Sequence, residues 1–393
     1  MVCWYKYHTK AISSFFTLLR SGLWEREIDE PSDFPLTESE WNTVYQMAIH
    51  QTVVGVVYRG ILQLPDHLLP PDGVLVRWVA HMDAIERRNR RMNAVVNELC
   101  GVFSDKGIRA VLQKGQGIAS LYVSPLLREC GDIDLYFPSA QERKQADEWV
   151  RQQGIKLNKG ADGSVHYEWK GVTVEHHRRL FDLYNPFIQG YLGELERQFG
   201  FALAEVPPGS HVSLTVASPQ LNLLMLNAHI LKHALGLGVG LRQLCDIARA
   251  YHVWHARINQ SELTAMYAKA GIAKWSRLLH RVLVDYLGLP ASCLPESCDP
   301  ASCLPESCDP ASCLPASCHS DAPRALSPLP LIRIILQGGN FGQAATQRSQ
   351  PQRHSQRKIS TAQSFLQNAL FAFRYAPWES VGIVSTLLTG QTK

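Results

Sequence analysis

The chain has 393 residues, enough for two or three domains, and its 46% hydrophobic and 19% charged residues are an ordinary globular balance. A formal net charge of +4 over this length excludes a dedicated nucleic-acid-coating protein, while a local basic groove stays compatible with it. No uncharged apolar run reaches the roughly 20 residues of a membrane span, and Lys6, His8 and Lys10 interrupt the amphipathic N-terminus before any signal-like apolar core; a cytoplasmic protein with no membrane partner is the expectation.

Residues 1–104 read as an N-terminal helical region. Thr37-Glu38-Ser39-Glu40 has capping-box spacing ahead of Trp41, Val44 and Met47. Pro70 and Pro71 break the chain, and Asp72 is placed to cap a long helix to about Phe103. Its apolar seam is Trp78, Met82, Ile85, Met92, Val96, Leu99 and Phe103, in steps of three and four with Asn89 in the gap. Arg87, Arg88, Arg90 and Arg91 lie opposite, where a solvated face is the plain reading and phosphate contact the alternative.

From 105 to 205 strands and helices alternate. Ile108 to Leu112 reads as a strand, Gly115 to Tyr122 as a helix, Asp132 to Phe137 as a strand, and Ser139 to Gln153 as a helix ended by Gly154. A hairpin follows: Val165 to Trp169, a Lys170-Gly171 turn, then Val172 to His176. Residues 206–289 read as a helical domain, with Leu221, Leu224, Met225, Ala228 and Leu231 on one stripe ended by Gly236, Gly238 and Gly240. The fold class expected is α+β, a small mixed-sheet core between helical regions.

Six of the ten cysteines fall in the repeat ASCLPESCDP, within residues 290–325. A proline every five residues forbids helix or central strand, so the segment reads as a flexible linker. Its C-x4-C step lacks the C-x2-C knuckles of structural zinc sites, though a soft-metal tract is the functional alternative. Residues 326–393 form a C-terminal segment: 343–357 is rich in Gln, Ser and Arg, and a helix from about Thr361 to Phe373 follows. Cys3, Cys100, Cys130 and Cys245 are scattered, Cys100 and Cys245 among apolar helical neighbours that suit small buried thiols.

Chemistry concentrates in the middle. On a strand, Asp132 and Asp134 share one face while Ile133 and Leu135 point to a core. Two carboxylates so spaced repel unless a cation sits between them, and hard oxygen ligands suit Mg2+ or Mn2+. Upstream, Lys114-Gly115-Gln116-Gly117 carries a strand into a helix, a turn in which Gly115 and Gly117 let backbone amides approach phosphate and Lys114 offers a point charge. Downstream, Thr173, Glu175 and His177 share a face; Glu175 beside the Asp132 strand would complete a three-carboxylate centre for phosphoryl or nucleotidyl transfer.

The run VLQKGQGIASLYVSPLLRECGDIDLYF with the hairpin VTVEHHRRL resembles the uncharacterised nucleotidyltransferase family found largely in bacteria, within the superfamily that shares the DNA polymerase β-type palm. The matching positions are Lys114-Gly115, Arg128, Gly131-Asp132-Ile133-Asp134-Leu135, Glu175 and His177. LLMLNAHILKHALGLGVGLRQLCDIARAY, with His229, His233, Arg242 and Asp246, looks like the family's helical segment, and ILQGGNFGQ like a late element, leaving the cysteine repeat as an insertion. Better-characterised branches hold the triphosphate with a Gly-Ser pair where this chain has Lys114-Gly115-Gln116-Gly117.

The resemblance implies a palm-like core that transfers a nucleoside monophosphate from an NTP, ATP for instance, to a small-molecule, sugar or protein acceptor, with Mg2+ or Mn2+ held by Asp132, Asp134 and Glu175. Glu175 would also take the acceptor's proton. Lys114 and Arg128 would neutralise phosphate charge, or Arg128 would pair with a local carboxylate. His177, His229, His233 and Arg242 are candidate substrate contacts; nucleic acid is not an expected partner.

Plainer readings stand beside these. The aspartates would cap a turn, and Glu175 would pair across strands. His229 and His233 are one turn apart, but H-I-L-K-H lacks the glutamate of a zinc H-E-x-x-H, so packed or substrate-facing histidines are expected. Arg242 and Asp246 have the i, i+4 spacing of an ion pair. Two other function classes remain: a catalytically inactive nucleotide- or partner-binding module on the same fold, and a D-x-D glycosyltransferase, which would need a Rossmann-like domain where this chain has helices.

Overall fold

The computed structural model describes residues 9–28, 31–160, 162–236, 238–295, 327–338 and 369–382. Most of the cysteine repeat, the stretch 343–357 and residues 361–368 of the helix read from Thr361 lie outside the described residues.

Helices α1 (Thr9–Trp24), α2 (Glu38–His50) and α3 (Val54–Ile61) precede the 34-residue α4 (Asp72–Asp105). The capping box of α2 forms: Thr37 Oγ1 accepts the Glu40 amide at 3.3 Å and Glu40 Oε2 accepts the Thr37 amide at 2.8 Å. At α4 the cap differs from expectation. Pro71 holds the capping position without a side-chain bond, and Asp72 is the first helical residue, where its charge complements the helix dipole. The seam from Trp78 to Phe103 is buried. Asn89 sits within it because its Nδ2 donates to the carbonyls of Leu126 (2.7 Å) and Arg128 (2.8 Å), fastening the loop that enters the acidic strand. Arg87 and Arg90 pair with Asp83 and Glu86 one turn back on the exposed face, and Arg88 donates to the Gly131 carbonyl at 2.6 Å.

A seven-stranded mixed sheet has the order β3-β4-β5-β2-β1-β7-β6. Its strands are β1 (Val111–Gln113), β2 (Ile133–Tyr136), β3 (Asn158–Lys159), β4 (Val165–Trp169), β5 (Val172–His177), β6 (Phe201–Glu205) and β7 (Ser213–Ala217). Short α5 (Gly115–Ala119) follows β1, and α6 (Ala140–Gln152), capped by Ser139, follows β2. β1 begins later than its apolar run suggests because pairing, not hydrophobicity, delimits a strand: Val111 is the first residue opposite β2, at Tyr136. In the hairpin turn both Lys170 (φ 50°) and Gly171 (φ 76°) are left-handed, the geometry of a two-residue turn whose twist matches its strands. This sets the register that faces Glu175 away from the core.

Strands β6 and β7 are additions that periodicity did not announce. Leu203 is 73% exposed, so β6 is an edge held by backbone pairing to β7 rather than by an inward face.

After α7 (Gln189–Phe199) come α8 (Pro219–Leu235), α9 (Leu241–Trp254), α10 (Gln260–Lys269), α11 (Ala273–Leu287), α12 (Leu329–Gly338) and α13 (Ala369–Tyr375). The stripe read on α8 is buried, but so are Asn222, Leu223, Leu226, Asn227 and Ile230, so this helix is enclosed nearly all round. Two apolar cores share α4: Trp78 to Ile85 pack with the helices, Met92 to Phe103 with the sheet and α6. The architecture is α+β. No helix among the described residues is long and apolar enough to cross a membrane.

Candidate active site

Strand register builds the site. Gln113 pairs with Asp134 across β1 and β2, and Asp134 pairs with Glu175 across parallel β2 and β5. Lys114, leaving β1, and Glu175 therefore flank Asp134 from both sides. Along β5 the buried residues are Val172, Val174 and His176, while Thr173, Glu175 and His177 take the other face, as the strand period requires.

Asp134 is buried, and its Oδ1 accepts from His177 Nε2 at 2.6 Å and lies 3.3 Å from Lys114 Nζ. His177 Nδ1 is 3.7 Å from Glu175 Oε1, and His166 Nδ1 is 3.5 Å from Glu175 Oε2. One donor atom each from Asp134, Glu175 and His177 lie within 4.8 Å of one another. Among the described residues, the donor group that comes this close thus contains His177, read from sequence as a substrate contact, and not Asp132. Asp132 lines the same cavity just before β2, and its carboxyl is pushed up to about 6, first by the neighbouring Asp134 charge and then by burial. Burial opposes the charge on Asp134, but Lys114 and His177 outweigh it and hold its carboxyl below the usual carboxylate range.

Lys114 carries a strained backbone, φ 46° and ψ −137°. Gly115 follows at φ 37°, where a Cβ would also meet the Asp132 carbonyl at 3.4 Å, so the turn that brings Lys114 over Asp134 calls for glycine. Burial works against the Lys114 ammonium, yet Asp134, Asp182, Glu175 and Asp132 together raise its pKa above that of ordinary lysine.

A cavity of about 370 Å³ opens beside these groups, lined by Lys114, Gly115, Arg128, Gly131, Asp132, Asp134, Asp162, His166, Glu175, His177, Leu226, His229, Ile230, Lys232, His233, Arg242, Gln243 and Asp246. Of the site residues read from sequence, Gly117 alone is absent from this lining. A Cβ there would meet Leu112 and Val216 side chains at 3.7 to 3.9 Å, so Gly117 faces sheet packing rather than a phosphate.

The fold decides two pairings that the sequence left as alternatives. Arg128 is not an uncommitted phosphate ligand: its Nε donates to Asp246 Oδ1 (3.0 Å) and its Nη2 to Oδ2 (2.5 Å), and the Tyr122 hydroxyl adds a bond to Oδ1 at 2.8 Å. Arg128 and Asp246 are 5% and 4% exposed, so this is a buried fork in the cavity wall. With Asp246 so engaged, the i, i+4 pair with Arg242 does not form. Arg242 instead donates from Nη1 to the Glu129 carbonyl at 3.0 Å.

On α8, His229 Nδ1 donates to Asp182 Oδ2 at 2.9 Å and Lys232 Nζ lies 2.7 Å from Oδ1. Burial, then the Lys114 charge, pulls His229 down to about 4, so it is neutral near pH 7. Its ring meets that of His233 edge-on at 4.4 Å between centroids. Asp182, Asp162 and His166 escaped the sequence reading. The available signal was Lys232, a cation within the apolar run of α8 that demands a carboxylate partner.

Beneath the site, His176 Nδ1 donates to Asp147 at 2.7 Å and its Nε2 receives the Tyr167 hydroxyl at 2.9 Å. Burial lowers the His176 pKa, which suits this neutral tautomer and ties β5 to α6 and β4.

No curated protein matches the chain significantly. Among solved structures, an antigenic nucleotidyltransferase-like protein from Paracoccidioides brasiliensis aligns over 50% of this chain and 92% of its own at 14% identity, with a TM-score of 0.32. A family model described as uncharacterised nucleotidyltransferase matches residues 37–288, which run from the capping box of α2 through the sheet and the cavity to the end of α11. The chain belongs to this uncharacterised nucleotidyltransferase family.

Proposed function

We propose that the cavity transfers a nucleoside monophosphate from an NTP to a hydroxyl-bearing acceptor, the acceptor oxygen bonding the α-phosphorus as the bond to the departing pyrophosphate breaks, with Asp132, Asp134, Glu175 and His177 as its metal-binding wall. The observation that carries this is the lateral pairing of Asp134 with Glu175 on adjacent strands, with Lys114 beside them. The donor chemistry fits a divalent cation: three carboxylates suit Mg2+ or Mn2+, and the imidazole tilts the preference toward Mn2+. When bound, such a cation stabilises charge on phosphoryl oxygens and makes an acceptor hydroxyl more acidic.

The chain's own groups do the rest. Lys114, charged at neutral pH, neutralises a phosphoryl oxygen of the incoming nucleotide. Glu175 takes the acceptor proton, and His166, 3.5 Å from its Oε2, steadies the carboxylate that does so. The Arg128–Asp246 fork holds the cavity wall rigid. Asp182 keeps His229 oriented through Nδ1, leaving Nε2 as the ring atom available for an acceptor contact.

One observation favours a second reading, nucleotide binding without transfer: Asp134 Oδ1 already has both the His177 imidazole and the Lys114 ammonium as partners. Incubation with each labelled NTP, Mg2+ or Mn2+ and a cell extract separates the two. Label transfer by the wild type and none by Asp132→Ala/Asp134→Ala supports the enzyme and captures the acceptor; identical behaviour hands the site to the binding reading.

A further inference from the structure

The cations around the cavity are unequal. Lys114 has Asp134, Arg128 has Asp246, and Lys232 has Asp182. Arg242 lines the same cavity, and among the described residues no carboxylate lies within ion-pairing distance of it. Its Nη1 is engaged by the Glu129 carbonyl at 3.0 Å, whereas its Nε is buried with no hydrogen-bond partner. A guanidinium is charged at any physiological pH, and a buried donor left without an acceptor is destabilising. Such a group calls for a partner, which a bound ligand or an ordered water supplies.

We propose that Arg242 is the anchor of a phosphate-binding subsite in this cavity, taking phosphoryl oxygens of a substrate through the guanidinium edge that the protein leaves unpaired. Phosphate is the anion that suits the place. The guanidinium presents parallel donors to tetrahedral oxyanions, and Asp132, Asp134 and Glu175 line the same cavity, with Arg242 near enough to act on the Asp132 carboxyl, so a phosphorylated substrate held at the carboxylates lies beside Arg242. The end of α9 does not supply the same service. Its Gly240 and Leu241 amides already donate to Gln243 (3.2 Å) and Gln51 (2.9 Å) side chains. The chemistry has two sources, the polyphosphate tail of a nucleotide or a phosphorylated acceptor. Only the catalytic meaning of the subsite rests on the function proposed above; anion binding does not.

The test is calorimetric titration of the full chain in buffer stripped of divalent cations on chelating resin, so that no added chelator competes. The probes are inorganic tripolyphosphate, ATP, adenosine, orthophosphate and glucose 6-phosphate. Wild type is expected to bind tripolyphosphate, Arg242→Gln to bind it about 10- to 100-fold more weakly, and Arg242→Lys to fall between. ATP following tripolyphosphate, with the monophosphates silent, assigns the subsite to the nucleotide tail; glucose 6-phosphate following instead assigns it to a phosphorylated acceptor. Both support the inference. Equal affinities in wild type and Arg242→Gln, or no anion binding by wild type, overturn it. Removing an unpaired buried charge should leave the thermal midpoint of Arg242→Gln at or above wild type, and Arg242→Lys keeps the test open if that variant does not fold. Arg242-dependent binding in a protein that transfers no label would sink the transferase while this subsite stands.

Discussion

Breaking the Arg128–Asp246 fork is the sharpest test of how the cavity wall is held. Asp246 accepts two bonds from Arg128 and one from Tyr122, and both charged groups are almost wholly enclosed. Asp246→Ala strands a buried guanidinium, costing about 3–5 kcal/mol, and removes the acceptor of a buried phenol for roughly 1 kcal/mol more. Arg128→Met strands the carboxylate instead and should cost about 3–5 kcal/mol. In Arg128→Met/Asp246→Leu neither charge is left alone, so only the Tyr122 loss and imperfect packing remain, about 1–2 kcal/mol. Urea unfolding followed by circular dichroism measures all three, with an unchanged denaturant slope as the sign that the comparison is fair. Additivity of the single costs to within about 0.5 kcal/mol would refute the reasoning, because uncoupled residues do not form a pair.

Four further outcomes follow. Manganese titration monitored by electron paramagnetic resonance should show binding to wild type and a large loss in Asp134→Ala/Glu175→Ala; unchanged binding would move the cation elsewhere. His280 is fully buried and burial pulls its pKa down to about 3, so the unfolded chain takes up a proton near pH 6.5 that the folded chain refuses. Its contribution is intact above about pH 6.5 and is lost as pH falls toward 3, with about 2 kcal/mol gone at pH 5. His280→Gln should flatten that part of the stability profile, and an unaltered slope would exclude His280 as its source. Gly115→Ala places a side chain at φ 37° against the Asp132 carbonyl and should destabilise by about 1 kcal/mol or more, seen as a lower thermal midpoint; a neutral result would show that the Lys114 turn does not need glycine. Asp147→Ala leaves the neutral His176 ring, which holds the Tyr167 hydroxyl, without its buried acceptor and should cost about 1–3 kcal/mol in urea, whereas a cost under about 0.5 kcal/mol would mean β5 is held without this network.

Local periodicity was enough to read much of this protein. The seam of α4, the Thr37 box and the hairpin around Lys170-Gly171 are short-range patterns, and each formed where spacing put it. The alternation that separates Glu175 and His177 from His176 is equally local. What sequence left open is partnership. Asp246 lies 118 residues from Arg128, and it was the folded path of α9 past the loop before β2 that gave it to that arginine instead of to Arg242 one turn away. Asp182 met His229 and Lys232 across 47 and 50 residues in the same way. Edge strand β6 has no buried face for a pattern to announce. Elements are dictated by neighbours within a turn or two of chain, so residues alone determine them; a charge chooses among every opposite charge that packing brings near, and only the tertiary structure makes that choice.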